Sequence, residues 1–150
     1  MANRSEADAA IGEIMSRGPR MIGLLLKQRG NHQFFAGTSL LNPRASILLP
    51  IPMEGYVLPE SQMHRVVTVE AAALHLISAI HCGKLHFAQA PLLLDLNEPQ
   101  GKRTIANTEE RMMRAFDAAE QWYRTNGAAA LQTRSAAANE PIAASNLRWY

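Results

Sequence analysis

The chain has 150 residues, 47% hydrophobic and only 6% aromatic, with a formal net charge of +2. That length fits one domain or one domain with a tail, and a single cysteine, Cys82, excludes an internal disulfide framework and every paired-cysteine zinc motif. No run of eighteen apolar residues occurs and MANRSEADAA lacks the apolar core of a secretory signal, so neither a membrane span nor export is expected, and a reduced, cytoplasmic setting fits the lone thiol.

Twelve of the fifteen basic residues are arginine, which in an alanine-rich chain reflects base composition as readily as phosphate binding. The distribution of charge is more informative. Residues 16–30 carry Arg17, Arg20, Lys27 and Arg29 with no acid, whereas residues 95–120 carry Asp95, Glu98, Glu109, Glu110, Asp117 and Glu120. Such polarity supports self-association or an acidic partner.

In chain order, Ser5–Arg17 reads as a first helix. Ser5 can cap it, Glu6 and Asp8 favour its positive end, and Ala7, Ile11, Ile14 and Met15 form an apolar face closed by Gly18-Pro19. Residues 20–29 read as a second short helix or as a buried strand ending in a turn; the spacing of Met21, Leu24, Leu25 and Gln28 favours the helix, which Gly23 weakens by about 1 kcal/mol relative to alanine. Residues 32–67 predict strands punctuated by Pro43, Pro50, Pro52 and Pro59. The stretch from Arg65 to Asp95 has only Glu70 and Lys84 as interior charges, so it marks the core or an interface. Within it, Val69–Cys82 reads as a helix capped by Thr68 and stopped by Gly83. LHFAQA and LLLDL then read as buried strands, and NEPQGK as a surface turn. A last helix is predicted from Thr108 to Asn126, ending at Asn126-Gly127. From Ala128 the composition is small and polar, which predicts a flexible tail over 128–150 ending in Arg148, Trp149 and Tyr150.

The expected fold is α+β: a small, mostly antiparallel sheet covered by two main helices, with an N-terminal helical arm on a single domain over 1–127. No dinucleotide fingerprint, phosphate loop, nucleophile elbow or zinc-protease motif occurs. No catalytic residue, metal or cofactor is therefore assigned. Cys82 and His75 share a helix face but stand about 10 Å apart along the axis, too far to activate each other. A lone cysteine is more commonly a small buried hydrophobe. His81, Cys82 and His86 fall short of a zinc ligand set.

Three functional readings remain. The leading one is a non-enzymatic protein-binding module, an adaptor or inhibitor such as a bacterial or phage accessory protein. Arg148, Trp149 and Tyr150 would contact the partner protein or complex; the alternative is that they dock on their own domain or on a dimer mate. The apolar 65–95 stretch also makes a homodimer plausible. The second reading is a nucleic-acid-binding regulator using Arg17, Arg20, Lys27 and Arg29 against phosphates, with little base-reading capacity. The third is a small-ligand binder or small enzyme with a pocket near His64, His75 or His86.

Overall fold

A computed structural model describes residues 4–37, 40, 67–88, 90–132 and 139–150. The fold is α+β. Helix α1 spans Arg4–Arg17 and leads through a 3-10 turn, Gly18–Met21, into the short α2, Ile22–Leu26. Helix α3 spans Val69–Cys82, strand β1 Leu93–Asp95, helix α4 Glu109–Gln132 and strand β2 Leu147–Trp149.

Helix α3 lies at the centre because its sequence is apolar on every side. Every residue from Glu70 to Ile80 is buried. Both predicted ends hold. The Thr68 hydroxyl accepts from the Ala71 amide at 3.2 Å, and Gly83 leaves the helix at φ 77° while donating to the Ala79 and Ile80 carbonyls.

The other helices pack around this centre. Helix α1 buries Ala7 and Ile11, so it belongs to the core and is not a separate arm. Helix α2 buries Ile22 and Leu25. A Cβ on Gly23 would stand 3.2 Å from the Tyr123 hydroxyl, so the residue that weakens α2 is the one that lets α4 approach it. Helix α4 buries Met112, Ala115, Phe116, Ala119 and Trp122 at helical spacing. The predicted stop at Asn126-Gly127 is not used. Asn126 donates its side-chain amide to the Trp122 carbonyl at 3.1 Å, Gly127 keeps a negative φ, and the helix continues to Gln132.

The sheet is smaller than expected. β1 and β2 pair antiparallel, with Leu93 opposite Trp149 and Asp95 opposite Leu147. Leu94 also bridges Ile105. LLLDL thus supplies a strand, but residues 85–88 of LHFAQA form turns and bends. Phe34 makes a single bridge to Thr68; the remaining strands predicted before Val67 lie outside the described residues. NEPQGK forms the expected turn.

Residues 139–150 depart most from the sequence expectation of a loose tail. Ile142, Leu147 and Trp149 are buried in the core, and β2 closes the sheet. Three well-spaced apolar anchors and a strand partner outweigh the small, polar composition around them. Two arginines of α4 hold this end together. Arg111, itself buried, donates to the Leu93 and Thr104 carbonyls at 3.1 and 2.9 Å and to Glu98 at 2.8 Å. Arg114 donates to Asp95 at 3.0 Å and to the Ser145 carbonyl at 2.8 Å. The hydrogen bond from Arg114 holds the Asp95 carboxyl below the usual carboxylate range, against the effect of its burial.

Phe116 is fully buried where α3 and α4 meet. Phe116→Ala is expected to lower stability by about 3–5 kcal/mol in urea unfolding. An unchanged midpoint would place that face of α4 outside the core.

Candidate functional site

Two places gather side chains in ways that bear on function. The first is an apolar groove of about 720 Å³, inside the size range of binding clefts. Helix α1 contributes Ala7, Ile11 and Ile14 to the lining, α2 contributes Leu24 and Leu25, and the 3-10 turn before it contributes Met21. The floor is the first half of α3, from Val69 to Leu76, and Phe34 and Phe35 close one end. The polar side chains on the lining are Glu6, Gln28 and Gln33. Leu24 is 53% exposed and Phe34 66% exposed, so two large apolar groups stand at its rim in water. The helical spacing of α1 is legible in the sequence. The groove is not, because it depends on where α1 and α2 diverge over α3.

The second is a buried polar cluster between α3 and residues 139–150. The Ser78 hydroxyl donates to Glu140 at 2.5 Å and accepts from the Trp149 indole N–H at 3.0 Å. Glu140 also accepts from the Ile142 amide at 3.1 Å. Burial pushes the Glu140 carboxyl above its ordinary range, against the Ser78 and Ile142 hydrogen bonds. His75 lies one turn before Ser78, its ring 4.7 Å from Phe87 and 4.9 Å, edge-on, from Trp149. Neither ring nitrogen of His75 has a hydrogen-bond partner among the described residues. Burial lowers its pKa to about 3, and His86 adds to the effect.

Serine, histidine and carboxylate together resemble a hydrolase triad in composition only. A triad needs the imidazole bonded to the hydroxyl, and His75 makes no such bond. Ser78 is also fully buried. The cluster is a clamp that seats Trp149, and His75 serves as an aromatic spacer. Cys82 is exposed at the end of α3. Partial burial and the Glu140 charge push its thiol up, against Lys84, which opposes a reactive thiolate. Among the described residues no group of three or more potential metal ligands occurs, and no helix is long and apolar enough to cross a membrane.

The residues singled out by sequence separate accordingly. Of the partner-contact set, Trp149 is buried in the core, Arg148 is exposed and Tyr150 is half-buried. The single set therefore divides between core and surface, because strand alternation turns neighbouring side chains to opposite faces. Of the pocket histidines, His75 is sealed in the core and His86 is exposed; His64 lies outside the described residues. Of the basic set, Arg17 pairs with Glu13 on its own helix. Arg29 pairs with Asp117 at 2.8 Å and Glu120 at 3.0 Å, and its guanidinium lies 5.8 Å from the centre of the Phe116 ring. Arg20 and Lys27 are exposed. Part of the charge polarity read in the sequence is thus satisfied inside the chain. Sequence reasoning missed Leu24 and Phe34, the adjacent aromatics Phe34-Phe35 being read only as strand residues.

No protein-family model matches the chain, and no curated protein or solved structure matches it.

The burial of His75 makes stability depend on pH. The unfolded chain binds the imidazole proton below about pH 6.5, the folded chain only near pH 3. Stability present at neutral pH is therefore lost as pH falls from 6.5 towards 3, by up to about 1.4 kcal/mol per pH unit. Glu140 acts in the opposite sense. Its raised pKa favours the folded state at acid pH, and that contribution is lost as pH rises. Comparing His75→Leu with the parent chain isolates the histidine. The stability of the variant relative to the parent should rise steadily between pH 7 and pH 5 in urea melts, whereas a pH-independent difference would mean that the ring is not sealed.

Proposed function

We propose that the protein is a non-enzymatic protein-binding module, acting as an adaptor or inhibitor by seating an apolar segment of a partner in the groove between α1 and α2. The groove itself, with Leu24 and Phe34 exposed at its rim, is the observation that carries this reading. Contiguous apolar surface left in water is characteristic of interaction sites. A small ligand is less well served, since the lining has few polar groups to orient one. The absence of a bonded nucleophile and base in the Ser78–His75 cluster adds support. The nucleic-acid reading loses two of its four cations, because Arg17 and Arg29 are already paired with carboxylates. The homodimer reading loses its motive, because α3 hides its apolar faces within one chain.

The test is selection of a displayed peptide library, helical and extended, on the immobilised full chain. Enriched peptides should bind at least tenfold more weakly to a Leu24→Ser/Phe34→Ser variant, the loss typical of a central interface residue. Both side chains are exposed, so the variant should melt like the parent. Failure to enrich any peptide, together with a copurifying small molecule in native mass spectra that the variant no longer carries, would replace this reading with ligand binding.

A further inference from the structure

We infer that the segment seated in the groove is an amphipathic helix carrying carboxylates along one edge of its apolar stripe, the edge that lies against α2; this rests on the reading of the groove as a protein-docking site. The basic residues near the groove differ in what they do. Arg17 is held by Glu13, and Arg29 by Asp117 and Glu120. Arg20 and Lys27 are exposed and make no ion pair or side-chain hydrogen bond among the described residues. They are seven residues apart with Leu24 between them, so they lie on one face of the helical 18–27 segment, two turns or about 10 Å apart. Their chain neighbours Met21 and Gln28 line the groove. The segment from the 3-10 turn to the end of α2 therefore reads cation, exposed leucine, cation.

The opposite wall lacks this pattern, since the charged residue it contributes to the lining is Glu6. The preference for carboxylates is thus confined to one edge, which fixes the direction in which an asymmetric partner helix can lie. A helix fits better than a strand because α1, α2 and α3 build most of the surface. Helix backbones offer no free ladder groups for an added strand, whereas their side-chain ridges accept those of another helix. A second copy of the chain is a poor occupant. Its acidic helix α4 buries the apolar face, Met112, Phe116 and Ala119, in its own core.

Electrostatic complementarity of this kind contributes specificity and salt dependence beyond the apolar contact. The test uses the full chain and three labelled synthetic helices in fluorescence anisotropy. All share one leucine stripe, and one edge carries glutamate, glutamine or lysine. The glutamate-edged helix should bind at least tenfold more tightly than the glutamine one, and its advantage should shrink with added salt. Arg20→Glu/Lys27→Glu should invert the order in favour of the lysine-edged helix, while Leu24→Ser should weaken all three. Equal affinities, lost on Leu24→Ser, would overturn the charge assignment and leave the docking groove standing. Binding of none of the helices would remove both. Duplex DNA competing through Arg20 and Lys27, or a dimer of the chain dissolved by Leu24→Ser, would overturn the inference in favour of those occupants.

Discussion

A helix that is apolar on every side is stable only if something covers every side. That requirement, imposed by Val69–Cys82, organises the rest of the molecule. Helices α1 and α2 cover one flank, α4 another, and residues 139–150 close the remainder with Ile142, Leu147 and Trp149. The two-stranded sheet is a consequence of this arrangement. Leu93 and Trp149 face each other because both ends of the chain segment must reach the same helix. The paired strands are three residues each, too short to be stable apart from what they pack against.

Burying α3 from Glu70 to Ile80 also takes its polar residues inside, and they fare differently. Glu70 accepts from the Gly30 amide at 2.7 Å and lies 3.4 Å from His32, so it ties the end of α2 to the start of α3. Ser78 is satisfied on both sides by Glu140 and Trp149. His75 packs its ring against Phe87 and Trp149, and neither of its nitrogens has a hydrogen-bond partner among the described residues. A buried polar atom without a partner costs about 1–3 kcal/mol. Here that cost falls on the same surface that receives Trp149.

The basic and acidic segments meet in space at Arg29, Asp117 and Glu120. Exposed pairs of this sort contribute little to stability, but they determine which cations are left for other work. Among the described residues of the basic segment, those left are Arg20 and Lys27, which flank the exposed Leu24 of the groove. One side of the apolar groove and the cationic edge come from the same short segment. That segment is too short to cover α3 by itself, and so it leaves a cleft against α1.

What the sequence determined by itself was local. The boundaries of α3 at Thr68 and Gly83, the start of α4 and the α+β class follow from capping chemistry and helical periodicity, which act over a few residues. What only the tertiary structure decided was non-local. Gly127 is a helix stop by propensity, yet it lies inside α4 because the Asn126 side chain and the Tyr123 ring complete the turn around it. Trp149 reads either as a partner contact or as a residue docked on its own domain, and only the packing decides for the core, through Ser78 of α3, 71 residues earlier. The four basic residues read alike in sequence. Arg17 meets Glu13 one turn away on its own helix, but only the packing brings Asp117 and Glu120 to Arg29, which separates it from Arg20 and Lys27. Periodicity can assign a residue to a face of its own element. It cannot say what meets that face, because the partner lies far along the chain and is chosen by the packing of the whole.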